Sequence, residues 1–100
     1  MLHFKLKYSG QNLRKLPQPT DLGSDTGQIK YMDLSYNKIS TLDGIESYSS
    51  LETLILDCNR IGDDVEFPCC PSLTTISLNK NQVYSILYYL CILKCIKMIK

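Results

Sequence analysis

The sequence is poor in the residues that enzyme sites and membrane spans commonly require. It contains no tryptophan, and its single histidine is His3. The longest apolar run, from Ile86 to Leu93, falls well short of the roughly 20 residues that a transmembrane helix needs. It also lacks a Gly-rich phosphate loop and a Gly-x-Ser-x-Gly nucleophile elbow. We therefore expect neither an enzyme nor a transmembrane segment, and no catalytic residue and no cofactor.

The cysteine pattern gives no indication of a disulfide framework or a metal site. There are five cysteines, at positions 58, 69, 70, 91 and 95, and an odd number cannot pair completely within one chain. No basic and apolar leader pattern opens the sequence, so we expect reduced thiols in a cytoplasmic protein. Cys69 and Cys70 are adjacent, and Cys91 and Cys95 have no second pair nearby, so we predict no bound metal.

Charge is unevenly distributed along the chain. Residues 1–20 carry a net charge of +4, residues 21–66 carry −7, and residues 67–100 carry +4. A strong nucleic-acid-binding domain is usually basic as a whole, whereas the centre of this chain is acidic. Nucleic acid is therefore not expected as a partner.

Three segments repeat one pattern of apolar residues and one asparagine at offsets of 22 residues. They run from Ile29 to Ile39, from Leu51 to Ile61 and from Leu73 to Val83. The pattern is L-x-x-L-x-L-x-x-N-x-L, which is typical of leucine-rich repeats. It predicts an α/β fold, a leucine-rich-repeat solenoid. This would be a short right-handed β/α superhelix whose parallel sheet lines the concave face.

The repeats suggest a division of the chain into three parts. A fainter copy, Leu6-x-Tyr8-x-x-Gln11-x-Leu13, precedes the regular ones at an offset of 26 residues. Terminal repeats of solenoids are often atypical in this way. We predict an amino-terminal cap, three repeats of which the third is incomplete, and a carboxyl-terminal cap or divergent tail. The corresponding ranges are 1–28, then 29–83 divided into 29–50, 51–72 and 73–83, and finally 84–100.

The repeated asparagines are interpreted as structural residues. An amide side chain both donates and accepts, so it can satisfy backbone groups that leave the strand away from water. A buried backbone group left unpaired costs about 1–3 kcal/mol. We therefore predict that Asn37, Asn59 and Asn81 form a ladder along the solenoid and bind no ligand.

We expect the side chains that flank the buried strand positions to bind a partner protein. Successive side chains of a strand alternate between its two faces, so the flanking residues point to the concave face. Solenoids commonly bind partners there, and tyrosine is favoured at interface centres. The predicted partner-binding residues are Tyr31, Asp33, Tyr36, Thr53, Ile55, Asp57, Thr75, Ser77 and Asn79.

The tail from Tyr84 to Lys100 is almost wholly apolar apart from three lysines, and several interpretations are open. It fits a helical end cap, or a truncated or alternatively spliced end. The tail is too short to form a further full repeat of 22 residues. A helix lying on a membrane surface is disfavoured by the lack of a broad polar face.

Four motifs resemble one family in particular. They are Tyr8-Ser9-Gly10-Gln11-Asn12-Leu13, Met32-Asp33-Leu34-Ser35-Tyr36-Asn37, the segment from Leu54 to Asp64, and Ser77-Leu78-Asn79-Lys80-Asn81. Together they are similar to the leucine-rich melanocyte differentiation-associated protein family. That resemblance implies a non-enzymatic cytosolic adaptor in endosomal and pigment-organelle trafficking, with a Rab-type small GTPase as partner. The alternative is a regulatory or structural subunit of a larger complex, like the leucine-rich-repeat proteins of phosphatases and spliceosomes.

Overall fold

The chain builds a four-stranded parallel sheet whose strands follow one another in sequence order. A computed structural model describes residues 5–18, 25–66, 70 and 72–85. Each strand has three residues: β1 (Lys5–Lys7), β2 (Tyr31–Asp33), β3 (Thr53–Ile55) and β4 (Thr75–Ser77). The parallel sheet predicted from the repeated pattern is therefore confirmed.

The register of the sheet aligns the apolar residue at the centre of each strand. Leu6 lies beside Met32, Met32 beside Leu54, and Leu54 beside Ile76. The last three are fully buried, whereas Leu6 in the first strand is only partly buried. Because side chains alternate along a strand, burying this row leaves the neighbouring rows on the opposite face of the sheet.

The segments that return from one strand to the next close the other side of the core. The described parts contain two short 3-10 helices, Asp25–Gln28 and Ile45–Ser47, and no α-helix. Leu42, Ile45 and Tyr48 from one return segment are buried against the strand residues. We call each strand, together with the turn and return segment that follow it, a coil. The Tyr48 hydroxyl donates a hydrogen bond to the carbonyl oxygen of Pro17, which ties this segment to the preceding coil.

The asparagine of each coil joins it to the coil before. The side-chain oxygen of Asn59 accepts a hydrogen bond from the Ile39 amide at 2.9 Å. Its side-chain nitrogen donates to the carbonyl oxygens of Leu34 at 2.8 Å and Leu56 at 3.0 Å. One buried amide therefore satisfies backbone groups of two coils that water does not reach.

The other two asparagines repeat this arrangement. The side-chain oxygen of Asn37 accepts from the amides of Gln11 and Leu13, both at 2.9 Å. Asn81 accepts from the Ile61 amide at 2.9 Å. Asn37 and Asn59 are buried, whereas Asn81, in the last described coil, is partly exposed.

The residue before each asparagine adopts the left-handed conformation. Tyr36 and Cys58 have φ of 58°, and Lys80 has φ of 56°. The register of the sheet places Gly10, with φ of 68°, at the same position of the first coil. This turn changes the direction of the chain after the strand. It brings the asparagine side chain within hydrogen-bonding distance of the backbone of the preceding coil. Glycine takes this conformation without a steric penalty, and the other three residues do not.

Several sequence expectations fall outside the described residues. Most of the predicted carboxyl-terminal part, 84–100, lies there, as do three of the five cysteines. Among the described residues, no helix has the length and apolar character needed to cross a lipid bilayer.

Candidate interaction surface

One row of residues on the exposed face of the sheet begins each strand. The register aligns Lys5, Tyr31, Thr53 and Thr75. Lys5 is exposed and the other three are half-buried. The Lys5 ammonium lies 5.6 Å from the centre of the Tyr31 ring, within the range of a cation–π contact. This contact orients the Tyr31 ring at the first two strands of the sheet.

The second row ends the strands and is less uniformly accessible. It consists of Lys7, Asp33, Ile55 and Ser77 in register. Asp33 and Ile55 are half-buried, so each presents part of its surface to solvent. Ser77 is only 9% exposed, and therefore offers a partner little area.

Asp33 holds the turn that follows its own strand. One carboxylate oxygen of Asp33 accepts hydrogen bonds from the Ser35 amide at 3.0 Å and from the Ser35 hydroxyl at 2.8 Å. The Ser35 hydroxyl also lies 3.1 Å from that of Ser9 in the preceding coil. The carboxylate is therefore engaged within the protein, and replacing it would disturb the turn as well as any contact with a partner.

Asp57 connects two neighbouring coils in a similar way. One of its carboxylate oxygens accepts from the Ser77 hydroxyl and from the Asn79 amide, the latter at 2.9 Å. The Asn79 side chain in turn donates to the Ser77 hydroxyl at 3.3 Å. Three of the predicted partner-binding residues, Asp57, Ser77 and Asn79, thus form one hydrogen-bonded group that stabilises the coils.

Tyr36 lies beyond the strands, in the row of left-handed residues. Its side chain is 67% exposed, and Cys58 and Lys80 occupy the equivalent positions of the next two coils. The Tyr36 amide donates to the Asp57 carbonyl oxygen at 3.0 Å, so the backbone of this turn is fixed. The structure therefore divides the predicted residues between the face of the sheet and the edge at the carboxyl ends of the strands.

In residues 5–18, 25–66, 70 and 72–85, no group of three histidine, cysteine, aspartate or glutamate side chains is arranged to hold a metal ion. The two described cysteines, half-buried Cys58 and buried Cys70, are not joined in a disulfide.

The chain is similar to a human protein over about half of its length. It is 47% identical over 57 residues to the leucine-rich melanocyte differentiation-associated protein of Homo sapiens. The predicted family resemblance is confirmed. The match covers 54% of this chain and 29% of the length of the human protein, so it concerns a part of that relative. No family model and no solved structure matches the chain.

One set of residues at the edge was not predicted from the sequence. Lys38 and Arg60 are equivalent positions of consecutive coils, two residues beyond Tyr36 and Cys58. They follow the 22-residue spacing of the repeat, and that spacing is the signal that identifies them as neighbours. The alternation of side chains along a strand, which predicted the other surface residues, ends before the turn in which Lys38 and Arg60 lie.

Proposed function

We propose that the chain is a non-enzymatic protein-interaction module built as a leucine-rich-repeat solenoid. Three observations support the solenoid: the sequential parallel strands, the 22-residue offset, and the asparagines that bond one coil to the next. Stacked repeats of this kind bury a continuous core and present one row of side chains from every strand. The module is proposed to act in the cytoplasm and to use no cofactor.

Half-exposed side chains from both rows on the sheet carry the proposal. Tyr31 and Ile55 place an aromatic and an aliphatic side chain on adjacent strands, with Thr53 and Thr75 beside them. Tyrosine buries a large area and keeps a polar tip, which suits it to the centre of an interface. Because Asp33 and Asp57 are bonded within the protein, Tyr31 and Ile55 carry most of the proposed binding.

The resemblance supplies a biological setting to test. The name of the human relative refers to melanocyte differentiation. We propose that this chain serves the same process as an adaptor in endosomal and pigment-organelle trafficking. A Rab-type small GTPase is the partner to test first.

The experiment is a binding measurement on the full chain with a matched pair of variants. A Rab-type GTPase, loaded with GTP or GDP, is titrated onto the immobilised protein. The test variant is Tyr31→Ala with Ile55→Ala, and the control is Val65→Ala, which truncates a half-buried aliphatic residue on a return segment. We expect the test variant to bind about tenfold or more weakly, since interface anchors each contribute on the order of 1–2 kcal/mol.

Two results would count against the proposal. Unchanged affinity of a folded Tyr31→Ala, Ile55→Ala variant would show that the sheet face is not the binding surface. If affinity purification from melanocytes instead gave a phosphatase or an RNA–protein complex as the dominant partner, the chain would be a regulatory or structural subunit of that complex.

A further inference from the structure

The edge at the carboxyl ends of the strands carries a group of basic residues around an exposed ring. We define the cationic strip as Tyr36, Lys38, Arg60 and Lys80. Backbone hydrogen bonds hold the three coils side by side here, including Cys58 amide to Asn79 carbonyl at 2.8 Å and Arg60 amide to Ile39 carbonyl at 2.9 Å. The strip therefore lies on a fixed backbone.

The positive charge of the strip is not neutralised within the described part of the chain. Arg60 and Lys80 are exposed and Lys38 is half-exposed. In residues 5–18, 25–66, 70 and 72–85, none of the three forms an ion pair with a carboxylate. Two aspartates close to the strip in sequence are already bonded: Asp57 to Ser77 and Asn79, and Asp63 to the amides of Tyr84 and Ser85.

Spacing and chemistry limit what this strip can bind. Adjacent strands of a parallel sheet are about 4.8 Å apart, and alternate side chains of an extended peptide are about 6.7 Å apart, a difference that long side chains such as those of Lys38 and Arg60 can span. Lys80 lies in the next coil, two residues before the position equivalent to Arg60. The Tyr36 ring, 67% exposed at one end of the strip, adds apolar area next to the charges. An arginine can also hold a carboxylate through two parallel hydrogen bonds.

We propose that the cationic strip binds an acidic segment of a partner protein. The segment crosses the coils, places carboxylates on Lys38, Arg60 and Lys80, and packs an apolar side chain against Tyr36. This surface lies apart from Tyr31 and Ile55 on the sheet, so the inference does not rest on the proposed function of that face.

Nucleic acid and membrane fit the strip less well. Strong nucleic-acid binding uses about six to ten phosphate contacts, and lipid-binding clusters contain about four to eight basic residues. The strip contains three cations, and two of them lie between residues 21 and 66, a stretch whose net charge is −7. A highly charged polyanion would meet the acidic return segments, where Asp43, Asp64 and Glu66 line one cleft. A short segment with a few carboxylates avoids them.

The test uses fluorescence anisotropy on the full chain with defined probes. One labelled peptide alternates glutamate with leucine and serine, and its comparator has glutamine in place of every glutamate. A single-stranded oligonucleotide and vesicles containing phosphatidylserine are the other probes. We expect binding of the acidic peptide alone, weakening as sodium chloride is raised, because exposed ion pairs are screened by salt.

Matched charge-reversal variants locate the site. The test variant is Arg60→Glu with Lys80→Glu, and the control is Lys7→Glu with Lys15→Glu, which changes the net charge equally at two exposed positions of the first coil. We expect the test variant to lose at least about tenfold in affinity for the acidic peptide and the control to lose much less. Circular dichroism and thermal unfolding of both variants establish that they are folded.

Any of four outcomes would overturn the proposal. They are tighter binding of the oligonucleotide or the vesicles, equal loss in both variants, binding that the test variant retains, and self-association that depends on the strip. Loss of peptide binding leaves binding through Tyr31 and Ile55 intact, so failure here and failure of the proposed function are distinguishable.

Discussion

The side-chain nitrogen of Asn59 donates a 2.8 Å hydrogen bond to the carbonyl oxygen of Leu34, which lies 25 residues earlier in the preceding coil. The same side chain accepts from the Ile39 amide on its other side. Neither backbone group has water as an alternative partner, because the surrounding residues are buried. Contact between coils therefore depends on this amide as well as on apolar packing.

Removing this amide should be costly. We expect Asn59→Ala to lower the free energy of unfolding by about 3 kcal/mol, since it leaves a buried amide and buried carbonyls unpaired. Urea denaturation followed by circular dichroism measures the change. Asn81→Ala makes the same change at a less buried position. It should lower the free energy of unfolding by roughly half as much, because Asn81 is partly exposed. Equal effects at the two positions would contradict the role of burial.

Gly44 is expected to be intolerant of a side chain. It precedes the second 3-10 helix with φ of 90°, a conformation that alanine adopts only at a cost of about 1–2 kcal/mol. A thermal unfolding comparison of Gly44→Ala with Gly27→Ala tests this. Gly27 has an ordinary φ, and a methyl group at this position would make only ordinary van der Waals contact, so its replacement should be neutral or stabilise by up to about 1 kcal/mol. Similar losses at both glycines would refute the argument.

The Tyr48 hydroxyl should contribute to stability through Pro17. Tyr48→Phe keeps the buried ring and removes the hydrogen bond to the Pro17 carbonyl, and we expect a loss of about 1 kcal/mol. Tyr84→Phe removes a hydroxyl from a side chain that is 83% exposed and serves as the matched control. An unchanged urea midpoint for Tyr48→Phe would mean that another donor satisfies Pro17.

The left-handed residue before each asparagine offers a stability test that leaves the core untouched. Lys80 is exposed and has φ of 56°. We expect Lys80→Gly to be about 1 kcal/mol more stable than Lys80→Ala, because only glycine takes this conformation freely. Differential scanning calorimetry of the two variants compares them at equal net charge. If alanine were the more stable residue, the turn would not impose this strain.

Much of the fold was predictable because its cause is local and repeated. Alternating apolar residues predicted Met32 and Leu54 as the buried centres of strands, and the 22-residue offset predicted their alignment. A parallel stack requires equivalent residues to lie side by side, so one period gives the order and the register of the regular strands. The same period predicted that the asparagines serve the backbone.

The accessible surface was less predictable. Alternation places Ser77 and Ile55 on the same face, yet Ser77 is 9% exposed and donates to Asp57 in the neighbouring coil, whereas Ile55 retains exposed surface. Tyr36 also departs from the strand pattern, because a left-handed turn carries it to the edge. Contacts between coils decide these exposures, and a single repeat contains only half of each contact.

The sequence by itself thus determined the repeat, the buried row and the asparagine positions, because each follows from periodicity along one chain. Only the tertiary structure decided which polar residues are consumed in bonding one coil to the next. It engaged Asp57 and Ser77 with each other and left Lys38, Arg60 and Lys80 without acidic partners in the described part of the chain. The physical reason is that hydrogen bonding between coils depends on distances across the stack, which the order of residues does not state.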